Sequence, residues 1–184
     1  MGKHFMRYCG VLLVLCAPLA FAAEGDSVNS EKGIGESLND AEIIQVLHVA
    51  DAGEIQAAKL AKSKAKNPEV KKFAEQMIKE QTAMDVKVGK LQRKLKLRPQ
   101  DSALSTGLQA KAKTAITAMK PLSGDAFDKA YVMSQVSMHG DVVEAMRDSL
   151  LPSVKNEELK ALMQDAAPKI EEHLQHAKQL QDSQ

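Results

Sequence analysis

The chain has 184 residues, with 25 Lys and Arg against 24 Asp and Glu, two Cys, no Trp and 3% aromatic residues, which suits one domain with a sizeable core. A composition rich in Ala, Leu, Lys, Glu and Gln, and short of the aromatic and β-branched residues that strands draw on, disfavours a β-sandwich or Rossmann sheet and predicts an all-α protein. Balanced charge and the scarcity of aromatic stacking platforms disfavour nucleic acid as a partner.

Residues 1–22 read as a secretory signal peptide. Lys3 and Arg7 form a positive n-region, and Gly10 to Ala17 form an apolar run too short to span a bilayer. Pro18 precedes the small-residue site Ala20-Phe21-Ala22. The expectation is export to the periplasm, free or associated with the outer membrane, and a mature chain without a transmembrane span. Cys9 and Cys16 leave with the signal, so the mature chain keeps no disulfide and no Cys-based metal site. Acylation of Cys16 is the rival reading; Leu15 stands where a small residue would be needed.

Residues 23–38, rich in Gly, Ser and Asn, read as a flexible linker, and 39–181 as the bundle domain. The first helix is predicted to start at Asn39-Asp40 and to run to about Lys66. Asn67-Pro68 then serves as cap and first residue of a second helix reaching about Leu97. A long crossover carries a shorter helix at about Leu108 to Lys120. A third long helix is predicted from about Asp125 to Leu150, a turn at Pro152, and a fourth from about Asn156 to Leu180. Two helical hairpins joined by one long crossover make the ferritin-like form of a four-helix bundle.

Each long helix carries a 3-4 apolar seam. Val70, Ala74, Met77, Met84 and Val88 mark it in the second helix, Val132, Val136, Val143, Met146 and Leu150 in the third, and Leu159, Met163, Ala166, Ile170 and Ala177 in the fourth. In the first, Leu47 and Ala61 share a stripe with Ile43 or Ile44. Each seam is broken at one polar position: Glu54, Gln81, His139 and His173.

At these residues the chain resembles the exported bacterial proteins of domain of unknown function 4142, often labelled predicted outer-membrane proteins and considered ferritin-like. The matching features are Ala52-Gly53-Glu54-Ile55, Asn67-Pro68 with Val70-Lys71 and Phe73-Ala74, Met77, Phe127-Asp128 with Tyr131, His139, and Pro168 with His173-Leu174. The resemblance covers about residues 39–181. It departs at Gln81, where the family commonly has a His, and this bears on any metal role the resemblance implies.

Two readings compete for the polar seam residues. In one, Glu54, His139 and His173, with Gln81 and His176 as contributors, hold a divalent metal or serve a haem. In the other they form a satisfied core network, with Gln81 and Glu54 hydrogen-bonding the histidines, and no cofactor is needed. Either way, burying such groups unpaired costs several kcal/mol on the usual scale, so they need partners. Glu54 and Gln81 lie 13 and 14 residues from Asn67, whereas His139 and His173 lie 14 and 20 from a turn centred at Ser153. A six-residue mismatch is about 9 Å at ~1.5 Å per residue, so the four are not expected to share one level. No Glu stands three residues before any His, which removes the Glu-x-x-His motif of di-iron oxidases. No Ser-His-Asp order or P-loop is visible, so no catalytic residue is assigned.

His173 and His176 form His-x-x-His, which suits a Cu²⁺, Ni²⁺ or Zn²⁺ site with outside ligands, or a core His beside a solvent His. The several Met residues read as core fillers. Charge is unevenly spread: residues 59–98 carry 13 Lys and Arg against four Asp and Glu, while the rest of the chain after residue 22 carries 10 against 20. Lys59, Lys62, Lys66 and Lys72 lie towards one end of the second helix, Lys87 and Lys94 towards the other. They form either a solvated face or a contact for anionic envelope polymers, lipid headgroups or the acidic half of a second copy, giving a homo-oligomer. The leading expectation is a non-enzymatic binding protein of the envelope, with a role in envelope stress; the alternative is the metal- or haem-binding bundle.

Overall fold

The computed structural model describes residues 37–183. The expected signal peptide and cleavage site, Cys16 and most of the expected linker lie outside the described residues. Within them the protein is all-α.

Helix α1 (Asp40–Lys64) begins at Asn39, whose side chain accepts from the N–H groups of Ala41 and Glu42 while the Glu42 carboxylate takes the Asn39 N–H. This reciprocal cap satisfies donors that a first helical turn leaves free. Helix α2 (Pro68–Leu95) has proline at its first position and Asn67 as cap. Between them, the buried carboxylate of Asp128 accepts the N–H groups of Lys66 and Asn67 at 3.0 and 2.6 Å, closing the first hairpin from the outside.

The crossover is more ordered than its polar composition suggests. Gln100 donates its N–H to the Ala41 carbonyl, and Gln45 donates to Asp101. Helix α3 (Ala103–Met119) starts five residues earlier than expected because Ser102 and Ser105 cap one another's N–H groups. It lies mainly on α1, with a smaller contact to α4. Gly53 permits this approach: a Cβ built there would meet the Ala112 Cβ at 2.8 Å.

Helix α4 (Gly124–Ala145) passes without a break into a π-helical turn (Met146–Leu150) and a last short turn, α5 (Leu151–Ser153). Pro152 therefore lies inside the helical segment, directly after the π-helical turn in which the Leu151 N–H bonds to the Met146 carbonyl. The chain reverses over residues 154–156, and α6 (Glu157–Asp182) starts on the Asn156 cap. The hairpin α1–α2 packs against the hairpin of α4 and α6 through α1 on α4 and α2 on α6.

The core has two apolar blocks. One, towards the α1–α2 turn, is built on Ala57, Phe73, Met77, Phe127, Tyr131 and Ala177. The other, towards the opposite end, is built on Ile43, Ile44, Val88, Met146, Leu159 and Met163. On every long helix the polar seam residue falls between the two: Glu54 on α1, Gln81 on α2, His139 on α4 and His173 on α6. Among the described residues, no helix is long and apolar enough to cross a membrane.

Candidate functional site

All four polar seam residues are buried, with Glu54, His139 and His173 at 3% exposure or less. They do share one layer, against the offset expected between His139 and His173, whose rings meet edge to face with centroids 5.4 Å apart. The reason is the turn. Because the helix continues through Pro152, the reversal centres on Lys155, 16 residues from His139 and 18 from His173. Helical side chains also lean towards their own N-terminus, so His139 leans away from this turn and His173 towards it, which closes the remaining step.

The two imidazoles are held in defined forms. Nδ1 of His139 lies 3.1 Å from the Gln135 carbonyl oxygen, which can only accept, so Nδ1 carries the proton and donates it. Nε2 of His173 lies 2.6 Å from Oε2 of Glu80. Burial works to raise the Glu80 carboxyl, but the hydrogen bond and charge of His173, with Gln76 and Lys169, outweigh it and hold it below its ordinary value. Burial lowers the His173 imidazole, opposed by Glu80 and assisted by His139 and Lys169. Glu80 is thus a carboxylate and His173 a neutral imidazole that donates from Nε2. The partner of His173 is Glu80, where the network reading offered Gln81 or Glu54.

That leaves Nε2 of His139 and Nδ1 of His173 without a partner. Both oxygens of Glu54 are in the same condition, one of them 3.4 Å from His139 Nδ1. Among the described residues, every buried side-chain N or O atom that lacks a hydrogen bond belongs to Asp51, Glu54, Tyr131, Gln135, His139 or His173. Such atoms are few in native proteins, each costing roughly 1–3 kcal/mol, and here they are concentrated in one region. Burial raises the Glu54 carboxyl, with His139 and Gln135 pulling it back. Asp51 is pushed up to about 8 by burial, then by the charges of Asp85 and Glu54. Tyr131 is pushed well above its ordinary value by burial and by Glu54.

A cavity of about 60 Å³ opens in this layer, lined by Asp51, Glu54, Glu80, Gln81, His139 and His173 with apolar neighbours such as Met84 and Met163. Among the described residues, no three His, Cys, Asp or Glu side chains are gathered so as to hold a metal ion as they stand. His176 lies outside this group and packs edge-on against Phe73, so His173 and His176 face different surroundings.

Four members of the region escape a search for breaks in the seam. Asp51 stands three residues before Glu54, and Gln135 and Tyr131 stand four and eight before His139, so helical spacing alone puts each on the polar residue's face. Glu80 had no such signal, being next to the seam residue Gln81. His48, for which the sequence showed no partner, bridges α1 to α2 through Asp85 at 2.6 Å and Gln92 at 2.9 Å.

A family described as a domain of unknown function, DUF4142, matches residues 26–180. The chain belongs to this family. No curated protein and no solved structure matches it.

Proposed function

We propose that this DUF4142 protein is exported to the periplasm or outer envelope and works by binding, and that its core layer takes one divalent transition-metal ion through Glu54, His139 and His173. A single observation carries the reading. Two imidazoles, each anchored through one N–H on an oxygen and bare at the other nitrogen, stand edge to face beside a buried carboxylate with both oxygens free. Imidazole nitrogen with carboxylate oxygen is a donor set that suits Zn²⁺, Cu²⁺, Ni²⁺ or Fe²⁺. A cavity of about 60 Å³ has room for an ion with bound water and favours an ion over haem. Rotation of the Glu54 side chain, the Gln81 amide oxygen or water completes the coordination.

Calorimetry of chelator-stripped protein with Zn²⁺, Cu²⁺ and Fe²⁺, with metal analysis of protein recovered from the periplasm, tests this. The expected result is one ion per chain, with His139→Ala and His173→Ala each weakening binding ~10–100-fold or more. Absence of binding, or binding that both variants leave intact, refutes it.

The charge split favours a second, surface reading in which the basic first hairpin contacts anionic envelope polymers or lipid headgroups through Lys59, Lys62, Lys66, Lys72, Lys87 and Lys94. Several of these are shared with neighbouring acids: Lys62 with Glu75, Lys66 with Asp125 and Lys94 with Glu158.

A further inference from the structure

We infer that Glu80 is a positioning residue for the core site: through Nε2 it fixes the ring and tautomer of His173 so that the bare Nδ1 is offered to a divalent transition-metal ion. The inference rests on the metal reading above and adds a residue outside its donor set. Glu80 is suited to act through His173 because both of its oxygens are engaged. Oε2 accepts the hydrogen bond from His173 Nε2–H at 2.6 Å, and Oε1 accepts from the Gln76 amide one helical turn earlier at 3.2 Å. The chain Gln76–Glu80–His173 therefore runs from the flank of α2 into the layer.

The burial gradient along that chain agrees. The Glu80 side chain keeps 31% of its exposure while that of His173 keeps 3%, so the carboxylate stays partly hydrated and charged as it orients a buried ring. The cationic neighbour Lys169 on α6 is paired with Glu172. On the α4 side, His139 is fixed by a backbone carbonyl through the opposite ring nitrogen. The site thus offers Nδ1 from one histidine and Nε2 from the other, each set by a separate oxygen acceptor. A carboxylate behind a ligating imidazole is a general means of fixing its tautomer and raising its basicity.

Two measurements on the full mature chain test this. In metal-free protein labelled with ¹⁵N-histidine, long-range ¹H–¹⁵N NMR should show His173 protonated at Nε2 and bare at Nδ1. In Glu80→Met, which removes the acceptor at a partly exposed position, that preference should be lost. Titration with Co²⁺, followed by its visible spectrum, should show binding weakened ~10–100-fold in Glu80→Met. Glu80→Gln keeps an acceptor without the charge and should fall between. Wild-type His173 protonated at Nδ1, or Glu80→Met with unchanged tautomer and Co²⁺ affinity, overturns the inference and leaves the metal reading standing. Failure of the wild type to bind Co²⁺ overturns the inference, and failure to bind Zn²⁺, Cu²⁺ and Fe²⁺ as well overturns both.

Discussion

Asp51 differs from an ordinary surface carboxylate by the sign of its contribution to stability. Its folded-state pKa of about 8 lies above the ~3.8 of an unfolded chain, so between these values the native state holds the proton more firmly. Stability from this group is fully present at low pH and is lost as pH rises towards about 8. Glu54, also raised, acts in the same direction. His173, lowered by burial, contributes stability that is present above about 6.5 and is lost at lower pH, so the alkaline side separates the effects. Wild-type protein should lose denaturant resistance between pH 6.5 and 9, and Asp51→Asn should lose distinctly less. Parallel curves for the two proteins would show that Asp51 is ionised at neutral pH.

The contact of α3 on α1 turns on one missing methyl group. Replacing a helical glycine with alanine ordinarily gains up to ~1 kcal/mol in helix propensity. At Gly53 the new Cβ would sit 2.8 Å from the Ala112 Cβ, which has no side-chain freedom to yield, and overpacking of this kind costs ~1–3 kcal/mol. The clash should outweigh the propensity, so Gly53→Ala is expected to be destabilised by ~1–2 kcal/mol in urea titrations, with Ala112→Gly restoring part of the loss. A variant more stable than wild type would mean that α3 does not press on α1 at this point.

The long helices and their buried faces were legible because apolar spacing and end signals agree. Asn39, Asn67 and Asn156 cap the helices expected to begin there, and Val70, Ala74, Met77, Gln81 and Val88 are buried as one stripe. The early start of α3 was hidden because Ser-x-x-Ser closes a reciprocal cap without the usual acidic partner. The shared layer is hidden in the sequence because Pro152 carries the usual signal of a helix end, whereas the helix runs on through it by way of a π-helical turn. Of the polar region, the seam residues were visible as breaks in an apolar pattern. Glu80 was not, since its role depends on a contact 93 residues away.

At the scale of the whole molecule, opposite charge is partly used within the chain. The pairs Lys66 with Asp125 and Lys94 with Glu158 link the basic hairpin to the acidic one, although exposed pairs of this sort are worth only ~0–1 kcal/mol each. A test of surface binding should leave those two pairs intact. Lys59→Glu, Lys72→Glu and Lys87→Glu combined should abolish sedimentation with anionic vesicles or cell-wall material. Wild-type binding should weaken between low and physiological salt as charges become screened over ~8–10 Å. Unchanged sedimentation of the triple variant, or no sedimentation of the wild type, would reduce the basic face to a solvated surface.

Asp128 sets an order of events on the chain. The N–H groups at the first hairpin's turn find their acceptor 61 and 62 residues further along. While the chain emerges from the ribosome, α1 and α2 are therefore both present before the group that closes their turn. Closing a loop of about 60 residues carries an entropy cost that only the later contacts repay. Until the N-terminal turns of α4 arrive, those N–H groups have only water to bond, and Asp128 then ties the α1–α2 turn to the second half of the chain.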